Sequence, residues 1–267
     1  MAPPCTLKMG PITNCTCPSN LYRLVAILIA WLGAIPTFIM EWIYFGILFK
    51  WNPLGWRFMS DFLSLIGNIE PWFSVVAWLV FPLNLLAAYY VYVLCSVQVA
   101  RFFLFLENHR HEPKEGIFPR DLSDPDYFHW NARRYIKKFP AWLVKLTPFP
   151  WMRRSYIYNK LGAKIGKHVG NLDAWIDLEF VTIENGVAMG CQVAITSHYF
   201  TSKYLIVKSV HVGRECLVGE RVRISPGTIM EENAVLLAKS VTKLDQHIKP
   251  GEIFGGNPAG LIKVREE

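Results

Sequence analysis

Residues 212–241 read VGRECL VGERVR ISPGTI MEENAV LLAKSV, five six-residue units in a row. Each opens on an aliphatic or methionine side chain: Val212, Val218, Ile224, Met230, Leu236. One unit earlier stands Ile206, and a second run with the same step precedes it at Ile183, Met189 and Ile195. Four residues after most of these comes a small or β-branched residue, among them Val187, Val193, Val210, Cys216, Val222, Thr228, Ala234 and Ser240. Neither helical nor plain strand periodicity produces a step of six. A hexapeptide step marks a parallel β-helix in which each unit is one short strand and a turn. Three units close one triangular coil, so residues eighteen apart are expected to stack: Ile206 on Ile224, Val212 on Met230, Val218 on Leu236. The opening residue of each unit fills the prism interior. One coil cannot bury its own inner face, so the coils must stack into a column.

After the hexads come Pro226-Gly227, Ala234-Val235, Ser240-Val241-Thr242-Lys243 and then Gly256-Asn257-Pro258-Ala259 with Ile262-Lys263. This ending resembles that of the left-handed β-helix hexapeptide-repeat acyltransferases. The resemblance covers residues 160–265, about 40 % of the chain. Glycine follows the opening residue at Gly190, Gly213 and Gly219, but Glu184, Ser225, Glu231 and Leu237 take that slot elsewhere. Three further segments narrow the likeness: Leu161-Gly162-Ala163-Lys164-Ile165-Gly166, Phe180-Val181-Thr182-Ile183, and Thr196-Ser197-His198. Together with Gly-Gly-Asn-Pro-Ala they look like the C-terminal membrane units of poly-lysine synthetase-type nonribosomal peptide synthetases. Those units alternate a pair of spans with a β-helix-like domain three times in one chain. One pair and one domain stand here, so the resemblance implies assembly from three copies. These residues include no adenylation or carrier domain, which places amide synthesis second to simple acyl transfer.

Of the 267 residues 52 % are hydrophobic and 14 % aromatic, and the apolar excess lies in the first 106. Leu24 to Met40 carries no charge and stays apolar through Phe49, while Pro71 to Ala100 has no charge at all. About 20 apolar helical residues cross a bilayer core, so each stretch suffices for one span. No basic start or small-residue cleavage site precedes the first, which argues against a signal peptide. The expected organisation is a tail at 1–20, a two-helix transmembrane hairpin at 21–106, a basic juxtamembrane segment at 107–160, and a β-helix acyltransferase domain at 161–267. The fold class is thus a membrane α-helical hairpin plus an all-β left-handed parallel β-helix. The linker Lys50–Glu70 is rich in aromatics, as an interfacial belt requires. It holds only Lys50 and Arg57 as cations, whereas Arg101, Arg110, Lys114, Arg120, Arg133, Arg134, Lys137, Lys138 and others follow the second span. The positive-inside bias therefore places the C-terminal domain in the cytoplasm, and two spans return the N-terminus there. Glu41 near the end of the first span is a functional candidate by default, though it also suits the headgroup border.

The basic and aromatic run from Tyr127 to Trp151 is read as interfacial helix beside anionic headgroups rather than a nucleic-acid surface. It accounts for much of the net charge of +7. Six cysteines, Cys5, Cys15, Cys17, Cys95, Cys191 and Cys216, do not make a secretory disulfide framework. Cys15 and Cys17 in an unstructured tail carry no expected metal role, and Asn14-Cys15-Thr16 is a sequon only if the N-terminus is outside.

Between Ile195 and Ile206 the register breaks, eleven residues standing where two hexads need twelve. A coil tolerates insertions at its corners, so Thr196 to Leu205 is expected to protrude. Functional residues concentrate on such loops, and His198 is the residue there suited to proton transfer near pH 7. In the acyltransferases this chain resembles, a histidine on such an edge is the general base toward a thioester. That resemblance assigns His198 as base. Glu179, eighteen before Ser197, is chosen as its orienter, with Asp173 and Asp177 nearby; Ser197 or backbone N–H groups are candidates for the oxyanion. The same resemblance places thioester contacts at Lys243, Gly256, Asn257, Pro258 and Ala259. His168, His211 and His247 are read as surface residues. The expected co-substrate is acetyl-CoA or another acyl thioester with no metal; the expected partners are the membrane, coenzyme A or a carrier protein, and two further copies, with no nucleic acid. A peptide-bond-forming unit and a non-catalytic β-helix scaffold are the competing readings.

Overall fold

The computed structural model describes residues 19–48, 71–146, 157–170 and 174–264. The cysteines of the N-terminal tail, the aromatic linker Lys50–Glu70 and Asp173 lie outside the described residues.

Helices α1 (Ser19–Leu48) and α2 (Pro71–Arg110) pack side by side, and the stretches 23–44 and 79–110 are long and apolar enough to cross a membrane. The pairing is antiparallel: Glu41 faces Asn84, and Gly33 faces Ser96. A Cβ at Gly33 would lie 2.3 Å from Ser96 Oγ, so this approach requires glycine. Asn84 donates to both carboxylate oxygens of Glu41 at 2.9 Å, which gives the acid a partner within the helix pair. Ile29, Val93 and Val97 are buried, while Leu24, Trp31, Phe38, Leu79 and Leu83 face outward. An apolar exterior of that size is what a lipid-facing helix pair carries.

Helix α3 (Pro125–Lys145) starts where Asp124 accepts the Tyr127 N–H at 2.9 Å and Pro125 opens the first turn. Its buried face includes Trp130, Arg133, Ile136, Lys137, Leu143 and Val144. Tyr89 of α2 donates its hydroxyl to Leu143 O at 2.7 Å. The expectation that this run lies wholly against headgroups is therefore corrected for one face. Trp130 turns into protein against the aromatic rings of residues 198–200, and Arg133 and Lys137 against the Glu179 carboxylate of the first coil; Arg134, Lys138 and Trp142 stay exposed.

From residue 164 the chain winds into three parallel sheets. One holds β2 (Lys164–Ile165), β4 (Val181–Ile183), β9 (Val210–Val212), β12 (Ile229–Met230) and β14 (His247–Ile248). The second holds β5 (Ala188–Met189), β10 (Leu217–Val218), β13 (Val235–Leu236) and β15 (Glu252–Gly255), closed by the antiparallel return β16 (Gly260–Val264). The third holds β3 (Trp175–Ile176), β6 (Ala194–Ile195) and β11 (Arg223–Ile224), extended by a bridge to Val241. Consecutive strands visit the three sheets in turn, which is the triangular column that a step of six implies. Ile183, Met189, Ile195, Val212, Val218, Ile224, Met230 and Leu236 are all buried inside it.

The corners repeat as strictly as the core. Glu215, Arg221, Gly227, Asn233, Lys239, Asp245 and Gly251 stand six apart, and every one has a positive φ. Each turn thus needs one left-handed residue, although glycine fills only two of these seven places. The stacks Val212 on Met230 and Val218 on Leu236 are as expected. Ile206 on Ile224 is not: Ile224 stacks on Ile195. Residues 198–207 leave the column as an antiparallel hairpin, β7 (His198–Phe200) and β8 (Tyr204–Val207), with β1 (Gly116–Pro119) added on its outer edge. Ile206 belongs to that hairpin and pairs with Ile117, because eleven residues cannot thread two six-residue rungs.

Candidate active site

The hairpin begins at His198, directly past the strand that ends at Ile195. Here the third sheet meets the next corner, and the column beneath places Asp177 just past Ile176. β3 pairs with β6 by the register Ile176↔Ile195, a rung of nineteen residues rather than eighteen. In that register Asp177 stands beside Thr196, and its carboxylate reaches on to Ser197 and His198. Asp177 Oδ2 lies 2.5 Å from His198 Nδ1 and accepts the Ser197 N–H at 2.8 Å and its hydroxyl at 3.3 Å. A carboxylate on Nδ1 fixes the ring and leaves Nε2 as the face for a reacting proton. Nε2 has no hydrogen-bond partner among the described residues.

Aromatic rings pin the imidazole from the sides. The Trp130 ring lies 5.2 Å from the His198 ring, and Phe200 meets His198 edge-on at 5.4 Å. Trp130 and Phe200 pack T-shaped at 5.7 Å. Tyr127, Leu205 and Val207 complete this apolar shelf between α3 and the hairpin. Arg120 covers the outer face of Phe200 at 5.1 Å and donates to Thr201 O at 2.9 Å. The His198 side chain is 18 % exposed, open enough for a substrate and sheltered enough to hold one geometry.

Glu179, the expected orienter, does not touch His198. Its Oε1 accepts from Lys137 Nζ at 2.6 Å and from Arg133 Nε at 3.1 Å. Register alone does not choose between them, since Glu179 lies nineteen positions before His198; Arg133 and Lys137 hold the Glu179 carboxylate toward α3, and Asp177 takes the histidine. Burial lowers the Lys137 pKa, and Glu179 opposes that shift. Arg133 and Lys137 stand one helical turn apart, so a single carboxylate clamps α3 to the first coil. Ser197 is likewise corrected as an oxyanion donor. It is buried, and both its donors point at Asp177.

The Gly256-Asn257-Pro258-Ala259 segment folds against the last rung of the same sheet. Val241 N–H donates to Gly256 O at 3.0 Å, and Ala259 N–H to Val241 O at 2.8 Å. Val241 stacks on Arg223, which stacks on Ala194, so this segment lies three rungs above the strand leading to His198. At about 4.8 Å per rung that is roughly 14 Å along the column. A polar seam follows this edge: Thr196 Oγ1 donates to Ile224 O, Ser225 Oγ to Thr242 O, and Thr242 Oγ1 accepts the Ser225 N–H. Lys243 is exposed one residue beyond it. His168 and His211 lie at the surface, His211 beside Glu184 at 3.4 Å, and His247 pairs with Glu231 at 2.6 Å.

No family model matches the chain. It is 32 % identical over 138 residues to the delta-poly-L-ornithine synthetase of Acinetobacter baumannii (strain AB307-0294), a match over 51 % of this chain and 10 % of that one. It is 26 % identical over 130 residues to "Putative acetyltransferase YvoF" of Bacillus subtilis (strain 168), over 47 % of this chain and 74 % of that one. The chain is thus similar to a poly-ornithine synthetase and to an acetyltransferase. It spans about a tenth of the synthetase's length and about three quarters of YvoF's. A galactoside acetyltransferase solved in complex with coenzyme A matches 49 % of this chain and 80 % of its own length, at 15 % identity and a TM-score of 0.39. The expected likeness to acyltransferases and to a poly-amino-acid synthetase is met by the two sequence matches.

Two site residues escaped the sequence reading. Asp177 was in view but passed over, and only the contacts of the two side chains distinguish it from Glu179. Trp130 sits 68 positions before His198 on a different element, and its pattern of neighbours reads equally as an interfacial helix.

Proposed function

We propose that this chain is a membrane-anchored acyltransferase that moves an acyl group, acetyl in the first instance, from a coenzyme A thioester to a hydroxyl or amine. The observation that carries this is the Asp177–His198 pair at the one place where the hexad column opens into a hairpin. His198 Nε2 takes the proton from the acceptor. The freed oxygen or nitrogen attacks the thioester carbonyl, and the tetrahedral adduct collapses with loss of the coenzyme A thiolate, which takes up the proton. Asp177 holds the imidazole in the tautomer that this requires. The Gly256–Ala259 turn and Lys243, on the same edge, are the proposed contacts for the thioester arm. The column is read as left-handed by kinship.

Helices α1 and α2 are the anchor, with the β-helix in the cytoplasm beside its donor. Three copies would pack their β-helix sides, which carry exposed Leu217 and Ile229, and would bring six spans together. A thioester-consumption assay with wild type and His198→Ala tests the chemistry. Equal consumption by both removes His198, and no consumption by wild type with any acyl-CoA favours a scaffold.

The similarity to a poly-ornithine synthetase supports a second reading, in which an aminoacyl thioester on a carrier protein is the donor and an amine the acceptor. Mass spectrometry of the acceptor separates the two, since acetyl and aminoacyl groups add different masses.

A further inference from the structure

We propose that a cleft between the end of α2 and the first β-helix coil holds the phosphate-bearing headgroup of an anionic membrane lipid. It rests on the membrane reading of α1 and α2 given above. The cleft has a volume of about 530 Å³. One wall is the last turns of α2, with Arg101, Leu104 and Phe105; the other is the first coil, with Lys160, Lys164 and Phe180. Lys137 reaches it from α3.

Three features favour this ligand class. The first is charge. Four cations line the cleft, Arg101, Lys137, Lys160 and Lys164, against two carboxylates, Glu115 and Glu179. Both acids are already engaged. Glu115 accepts from the Ser209 N–H at 3.0 Å and its hydroxyl at 3.2 Å, and Glu179 is held by Arg133 and Lys137. Arg133, outside the lining, shares Glu179 with Lys137 of the cleft; with that pair set aside, Arg101, Lys160 and Lys164 still stand against Glu115. The second is a buried cation: Lys137 is 6 % exposed and sits where the cleft ends. The third is continuity. The outward face of α2 stays apolar down to the rim, where Phe102 and Phe105 are 59 % and 68 % exposed. An acyl chain lying along that face would leave its phosphate at Arg101, the first charge after the thirty uncharged residues 71–100. A soluble anion would have no use for the apolar approach. Occupancy would bind α2 to the coil that carries Asp177 and Glu179, and so set the height of the His198 edge above the bilayer.

The test uses the full-length protein in a neutral maltoside detergent, titrated with phosphatidylglycerol, phosphatidylcholine or glycerol phosphate, with retention read by native mass spectrometry. Arg101→Gln plus Lys164→Gln removes two exposed cations of the cleft and none of the proposed catalytic groups; Lys263→Gln on β16 is the control. Each basic group near an anionic headgroup contributes about fivefold in binding. Saturable binding of phosphatidylglycerol, weakened about 25-fold in the double variant and unchanged in the control, is expected. Binding in the double variant within threefold of wild type overturns the site. Glycerol phosphate competing as well as phosphatidylglycerol overturns the lipid and leaves a soluble phosphate ligand. Carbonate extraction of membranes, run separately, reads anchoring by itself. Release of the protein there would sink the anchor, while the detergent titration would still report on the cleft.

Discussion

His198 Nδ1 and Asp177 Oδ2 lie 2.5 Å apart although twenty-one positions separate them in the chain. The contact exists because Asp177 stands beside Thr196 in the third sheet, and because the chain leaves the column immediately afterwards at His198. It ties the proposed chemistry to a local departure from the repeat rather than to the repeat itself.

His198→Ala should lower acyl transfer by about 10²–10⁴-fold with the melting temperature unchanged, as loss of a general base does. Asp177→Asn should lower it by about 10²-fold, the low end of the same range, since the amide no longer fixes the reactive tautomer. Steady-state rates at saturating thioester, measured on variants of matched melting temperature, check both. Activity of Asp177→Asn equal to wild type would remove Asp177 from the site.

Glu179→Gln should behave differently. It leaves Arg133 and Lys137 buried without a counter-charge, a loss on the order of 3–5 kcal/mol. The melting temperature should fall, with the rate per folded molecule retained. Calorimetry beside the rate assay separates this clamp from the acid–base pair.

Ile224→Asp should unfold the column for the same reason, an unpaired charge in the prism interior, again about 3–5 kcal/mol. Ile206→Asp should cost far less, because Ile206 is a half-buried residue of the hairpin. Equal losses in urea melts would restore the eighteen-residue stack of Ile206 on Ile224.

Cys216 gives a pH signature. Burial pushes its thiol up to about 11. The folded state then holds its proton where the unfolded thiol, near 9, has lost it. The native state binds more protons in that window, so stability falls as pH rises from about 9 to about 11. Part of that fall should vanish in Cys216→Ala. Maleimide at neutral pH should modify exposed Cys191 and spare Cys216 until the protein unfolds. Parallel alkaline melts of wild type and Cys216→Ala would refute the assignment.

Topology is open to a direct reading. Single cysteines introduced in Lys50–Glu70 and near Lys160 should be labelled from opposite sides of the membrane. Same-side labelling sinks the hairpin. A monomeric mass in mild detergent, with activity retained, would sink the threefold assembly and leave the hairpin standing.

The column was legible in the sequence because its cause is periodic. A side chain that must point into a prism every sixth residue leaves Val212, Val218, Ile224, Met230 and Leu236 in plain view, and the exit of the chain at His198 shows as a hexad that does not fit. The two apolar stretches were legible because spanning length is a property of composition. What the tertiary structure decided is everything that depends on one residue of register or on contacts between elements. The choice of Asp177 over Glu179 rests on where the two carboxylates point, which no pattern of apolar residues reveals, since neither side chain is in the core. The place of Trp130 beside His198, and of Arg133 and Lys137 on Glu179, depends on how α3 docks. An amphipathic helix shows in its sequence which face is apolar, but not whether lipid or a β-helix will cover it, because both remove the same surface from water.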